Sequence, residues 1–267
     1  MRKEAILLVT FGSSAPDTQR VFDHIEAQVK QVVPGAPTRW AYTSRIIRNK
    51  LAREGKTLDS PEMALARLMD EGFTHVAVLS LLTIPGMEFH ELHNNARLFE
   101  LMAGGLRRVV VAAPLLASHL DMKRAAQAMI KHIPTERRPE DAVVLMGHGS
   151  EKHAADAIYV GLNAMLQELD ARVFLASVQG YPALDDVLPK LGQQGAKKVF
   201  LLPFMSVAGE HARKDMAGDG PDSWKSILTG NGYTCETVLK GTAEYPETME
   251  IWLDHLRSAM RKLREEH

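Results

Sequence analysis

KVFLLPFMSVAGEH, residues 198–211, opens on an apolar run and closes on a glycine, a glutamate and a histidine. A run of that length without polar alternation reads as a strand buried on both faces, the habit of parallel sheets covered by helices. His211 then falls where the strand ends, and open α/β sheets bind ligands at the carboxyl ends of their strands. AVVLMGHGSE, residues 142–151, repeats the arrangement, with His148 held between Gly147 and Gly149. Glycines on both sides predict a sharp turn that leaves the imidazole room to face a ligand. Two histidines placed alike predict one shared site.

Working outward, the same kind of run recurs along the chain. AILLVTF (5–11), TRWAYT (38–43), VAVLSLL (76–82) and RVVVAAP (108–114) form one set, and AVVLMG (142–147), RVFLASV (172–178), KVFLLPF (198–204) and YTCETVL (233–239) a second. Amphipathic stretches lie between them, such as TQRVFDHIEAQVKQVV and SPEMALARLMDEG. The latter carries Ser60 as N-cap, Pro61 at the first helical position and Gly72 as its stop. This β-α rhythm predicts two Rossmann-like α/β domains, each a four-stranded parallel sheet flanked by helices. The charged, proline-flanked IPTERRPE (133–140) places the boundary between domains 1–133 and 134–267. A C-terminal helix from about Pro246 to Glu266 is expected to pack back on the first domain.

The halves also align on each other. Setting Val76 on Val199 brings Gly86 onto Gly209 and Glu88 onto His211; setting Leu7 on Val144 brings Phe11 onto His148 and Gly12 onto Gly149. Any two strand-loop-helix units share apolar runs and a glycine, but the matches suggest an internal duplication. Two duplicated domains would face each other across a cleft lined by strand ends.

Composition removes several function classes. The 267 residues carry 32 Lys and Arg against 33 Asp and Glu, a net charge of −1, so no global field favours nucleic acid or an anionic membrane. No apolar run approaches the roughly 18 residues that span a bilayer. The basic start MRKEAILLVTFGSS lacks a small-residue cleavage pattern and reads as the first strand, so a cytoplasmic location is expected. The single cysteine, Cys235, has no partner for a disulfide or a zinc knuckle, which fits a reducing compartment. Neither a Walker A loop nor GxGxxG is present, and GxSxG is missing for a serine hydrolase built on Ser14 or Ser150.

The candidate chemistry centres on the two imidazoles. His148 and His211 can bind a borderline divalent metal such as Co²⁺, Ni²⁺, Fe²⁺ or Zn²⁺ and can take up protons near neutral pH. Gln179, at the end of RVFLASVQ, stands beside them as a weak carboxamide ligand. Glu88 and Glu210 are the available carboxylates, although acids in a helix's first turn also serve the macrodipole. Arg45 and Arg48 offer partners for a polycarboxylate, and Ser13 and Ser14 an anion seat at a helix start. His90 and His93 read as a solvated helix face, His119 and His153 as helix residues, and Trp224 as packing either in the core or against a ligand.

LLVTFGSS, AYTSRIIRNKL, IPGMEFHEL, PLLASHLD, MGHGSEKHA, SVQGYPALD and VAGEHARKDMAGDGPDSWK occur in order over nearly the whole chain. Together they resemble the anaerobic, class II sirohydrochlorin cobaltochelatases of the CbiK type, relatives of ferrochelatase. The resemblance implies a two-domain fold that inserts Co²⁺ into a polycarboxylated tetrapyrrole without ATP or an organic cofactor, releasing two pyrrole protons, early in anaerobic cobalamin biosynthesis. It implies His148 and His211 as metal ligands. The family's third ligand is a glutamate where this chain has Gln179, and Leu82 stands where relatives often carry a histidine. Siroheme ferrochelation and a tetrapyrrole or metal carrier without turnover remain rival readings. Fe²⁺ and Ni²⁺ stay open as substrates, and association into a homo-oligomer is compatible with the fold.

Overall fold

A computed structural model describes residues 2–150 and 153–265. Glu151 and Lys152, within the MGHGSEKHA stretch, lie outside the described residues, as does Glu266, the expected end of the last helix. The chain divides into two compact units, Met1–Ala117 with Met249–His267, and Ser118–Thr248.

In the first unit β1 (Glu4–Thr10), α1 (Thr18–Val32), β2 (Thr38–Tyr42), α2 (Arg45–Arg53), α3 (Pro61–Asp70), β3 (His75–Ser80), α4 (Met87–Leu101) and β4 (Arg108–Val111) alternate. Ala5 to Val9 are all fully buried, as expected of a strand with helices on both faces, and each large apolar side chain so placed stabilises by about 1.5–3 kcal/mol. Ser60 caps α3 by accepting the Met63 N–H at 3.3 Å, with Pro61 next in line. The second unit carries α5 (His119–Lys131), β5 (Ala142–Gly149), α6 (Asp156–Leu169), β6 (Val173–Gln179), α7 (Leu184–Gln193), β7 (Lys198–Pro203), a π-helical turn (His211–Met216), α8 (Trp224–Gly230) and β8 (Thr234–Thr237). Trp224 is buried in its core beside Leu228 and Met216, which settles its place. The last helix, α9, spans Pro246–Arg264 and belongs to the first unit from Met249 onward.

Each sheet has four parallel strands, ordered β2-β1-β3-β4 and β6-β5-β7-β8. The registers coincide as well as the orders. Ala5 pairs with Val76 in the first sheet and Ala142 with Val199 in the second, the residues that the two sequence alignments superpose. Leu81 N–H donates to Val9 C=O at 2.8 Å, and its counterpart Phe204 to Met146 C=O at 2.7 Å. In both sheets the connections lead away in opposite directions from the central pair, so a topological switch point lies between β1 and β3 and between β5 and β7.

The division at 117/118 departs from the boundary read at 133/134. IPTERRPE is no linker: Arg137 forms a forked ion pair with Asp170 at 2.5 and 3.2 Å and donates to the Asp141 carbonyl at 3.0 Å. These bonds fix the stretch inside the second unit, and α5 packs on α6 ahead of it. Among the described residues no helix is long and apolar enough to cross a membrane.

Candidate functional site

The second unit brings its two marked histidines together. His148 ends β5 and His211 opens the π-helical turn that follows β7, so both stand at the switch point of that sheet. Their ring centroids are 4.9 Å apart with the planes at 84°. β5 does not turn at the histidine as expected. Its ladder continues to Gly149, which pairs with Gln179, and His148 keeps a strand conformation. Only Gly149 has a positive φ, of 81°, and a Cβ there would lie 1.6 Å from the Gln179 carbonyl oxygen. Gly147 serves packing instead, since a Cβ would press on the Tyr159 ring at 3.1 Å.

Hydrogen bonds fix the tautomer of each ring. His148 Nδ1 lies 3.1 Å from the Gly149 carbonyl, which can only accept, so in this bond Nδ1 carries the proton. His211 Nδ1 lies 2.5 Å from Asp215 Oδ2, a carboxylate four residues on, and is held the same way. In each ring it is then Nε2 that carries the lone pair suited to a metal or a proton. Burial pushes the His148 pKa down and the neighbouring His211 ring adds to the effect, against the Gly149 hydrogen bond, so its neutral form prevails. Such an orienting carboxylate raises ligand basicity and is a usual companion of a metal-binding imidazole.

The remaining sequence candidates divide. Gln179 is exposed, one strand over from Gly149, and its carboxamide makes no hydrogen bond with the described residues. Glu210 is ion-paired with Lys214 at 2.9 Å. No set of three His, Cys, Asp or Glu side chains that could hold a metal exists among the described residues.

In the first unit Glu88 stands in the first turn of α4, where its carboxyl accepts from Thr43 Oγ1. Burial raises its pKa, the Thr43 bond opposes the rise, and the nearby Glu91 charge adds to it. Arg45 begins α2 and is exposed, while Arg48, three residues on, buries a guanidinium Nε that has no partner among the described residues. Three exposed apolar side chains, Phe11, Ile46 and Met87, follow the carboxyl ends of β1, β2 and β3. Ser13 and Ser14 are not at a helix start. α1 begins at Thr18 behind Asp17, and the buried Ser13 hydroxyl accepts from the Ala15 N–H at 3.1 Å. The helix-start premise of their anion-seat reading is therefore not met.

Three residues escaped the sequence reading. Asp215 sits at i+4 from His211, a spacing that marks a helical neighbour and was legible in HARKD. Thr43, the partner of Glu88, is 45 positions away in sequence and gave no signal. Asp156, at the start of α6, accepts from the Tyr181 N–H at 3.1 Å and adds negative charge near His148.

A family model described as "Cobalt chelatase (CbiK)" matches residues 4–261. The chain is 44% identical over 266 residues to a sirohydrochlorin cobaltochelatase, CbiKC, of Nitratidesulfovibrio vulgaris, covering 98% of this chain and 93% of that one. It is 36% identical to the sirohydrochlorin cobaltochelatase of Salmonella typhimurium, with 99% of each chain covered. Among solved structures, SirB from Bacillus subtilis with Fe³⁺ shares the fold at a TM-score of 0.61 and 18% identity, over 96% of this chain and 95% of that one.

Proposed function

The chain belongs to the cobalt chelatase (CbiK) family, and we propose on that footing that it inserts Co²⁺ into sirohydrochlorin without ATP. The observation that carries the proposal is the pair of imidazoles whose ring centroids stand 4.9 Å apart, each with its Nδ1 engaged in a hydrogen bond so that Nε2 is the nitrogen suited to bind the metal. Co²⁺ is the substrate metal, and nitrogen donors suit it. Insertion replaces two pyrrole N–H protons by one divalent ion. His148 and His211 hand over the metal and, once it has left, their Nε2 atoms are free to take protons. Asp215 holds the ring of His211 through this exchange. Gln179 contributes no negative charge, so the delivery site is neutral apart from the carboxylate behind it, and the ion is held loosely enough to leave.

The first unit supplies the groups that suit the macrocycle. Arg45 and Arg48 match its carboxylates, Phe11, Ile46 and Met87 its flat apolar face, and Glu88, with its raised pKa, a proton relay. The lone Cys235 and the near-zero net charge fit a cytoplasmic enzyme.

Anaerobic mixing of the protein with sirohydrochlorin and Co²⁺, followed by absorbance, should give a rate well above the uncatalysed control. Binding of the tetrapyrrole with no acceleration would instead make the protein a carrier. Fe²⁺ and Ni²⁺ in the same assay rank the metals.

A further inference from the structure

In the first unit a concavity of about 910 Å³ opens where β3 and β4 begin, and His75 and Arg108, the first residues of those strands, line it. Glu88 and Thr43 follow the other ends of their strands. β3 runs for six residues, so about 20 Å separates the two ends of the sheet. A volume of that size accommodates a small molecule.

The lining is strongly cationic in a chain of net charge −1. Arg2 and Arg108 have structural duties: Arg2 donates to the Leu263 carbonyl at 2.7 Å and Arg108 to that of Glu265 at 3.0 Å, satisfying the end of α9. Arg97 of α4, Arg107 ahead of β4 and Lys262 of α9 have no such duty. They converge on the concavity from three elements, and their side chains make no hydrogen bond or ion pair with the described residues. Against the five Arg and Lys side chains of the lining stand two carboxylates, Glu265 and Glu100, the latter also accepting from the Val109 N–H at 2.5 Å. The field is felt at His75, whose pKa is pushed down by burial and then by the charges of Arg2, Arg107 and Arg108, with only Glu4 opposing. An excess of like charge gathered in one hollow is stabilised by a multivalent anion. Guanidinium forks grip phosphate and carboxylate oxygens in pairs.

We propose that this concavity binds a compact polyanion carrying two or more adjacent phosphate or carboxylate groups, at the end of the first sheet opposite Glu88 and Thr43. Pyrophosphate and citrate serve as the two probes. Calorimetric titration of the full-length protein, at ionic strength held constant with chloride, should show saturable binding of at least one of them and a raised unfolding temperature. Pyrophosphate alone points to a phosphate ligand and citrate alone to a carboxylate one. The Arg97→Ala/Arg107→Ala double variant should weaken binding roughly tenfold or more, with Co²⁺ insertion measured without polyanion unchanged. Lys262→Glu, a single exposed change, should weaken it too. Saturation by neither probe, or an affinity that both variants leave intact, overturns the proposal.

Discussion

The two sheets share strand order and register, yet their switch points carry different chemistry. After the first strand of each stands a glycine with positive φ, Gly12 at 99° and Gly149 at 81°. The residue before it is Phe11 in one unit and His148 in the other. After the third strand, Glu88 in the first unit occupies the position of His211 in the second. One backbone design thus presents a phenyl ring and a buried carboxyl in the first unit and two imidazoles in the second. The backbone fixes where a side chain can act, and substitution at fixed positions decides what it does.

The largest expected effect tests the assignment of metal delivery to the second unit. His211→Ala should lower Co²⁺ insertion by on the order of 100-fold or more with the circular dichroism spectrum unchanged. Glu88→Ala, the equivalent position in the first unit, should leave a measurable rate; equal losses would erase the division of labour. Next comes Asp215→Asn, which frees the His211 ring to rotate or change tautomer. Co²⁺ affinity by titration should fall about 10- to 100-fold, whereas a purely structural role would lower the melting temperature and spare the affinity.

The paired glycines sharpen the comparison in stability. Gly149→Ala forces a Cβ against the Gln179 carbonyl and should cost on the order of 4 kcal/mol in urea unfolding. Gly12→Ala meets the buried Tyr42 ring at 2.3 Å rather than a backbone carbonyl and should cost less. Gln179→Glu should tighten Co²⁺ binding by a few-fold if the exposed carboxamide faces the imidazoles; no change would show that the position lies off the metal's path.

The smallest effect is in pH dependence. Glu88 has a folded-state pKa above its unfolded value, so the folded state binds the extra proton. The resulting stability is complete below the unfolded pKa and is lost as pH rises through the raised one. Unfolding measured from pH 4 to pH 8 should show this decline in the native chain and a flatter profile in Glu88→Gln. No comparable decline is expected from His148, whose shift has the opposite sense: its depressed pKa means stability is lost as pH falls.

Much of this was legible in the chain. Each of the eight strands coincides within a few residues with one of the runs read from the chain, most clearly in the central strands β1, β3, β5 and β7, where cover on both faces needs apolar side chains at nearly every position. The alignment of the halves superposed Ala5 on Ala142 and Val76 on Val199, and these residues hold equivalent places in the two registers. The boundary was misread because IPTERRPE has a linker's composition, while its containment depends on Arg137 meeting Asp170, 33 positions away. Ser13 looked like a helix-start residue because it follows Gly12 at the end of β1, but a short loop separates it from Thr18, where the amphipathic pattern and α1 both begin.

The sequence by itself determined the α/β class, the two four-strand sets and the two histidines at strand ends, all of which follow from local periodicity and spacing. Only the tertiary structure decided that the imidazoles meet at 4.9 Å, that Asp215 and the Gly149 carbonyl take their Nδ1 protons, and that Glu88 is buried against Thr43. Tautomer, burial and pKa are properties of neighbours. Neighbours brought together by a sheet's crossovers come from distant parts of the chain, so no window of sequence contains them.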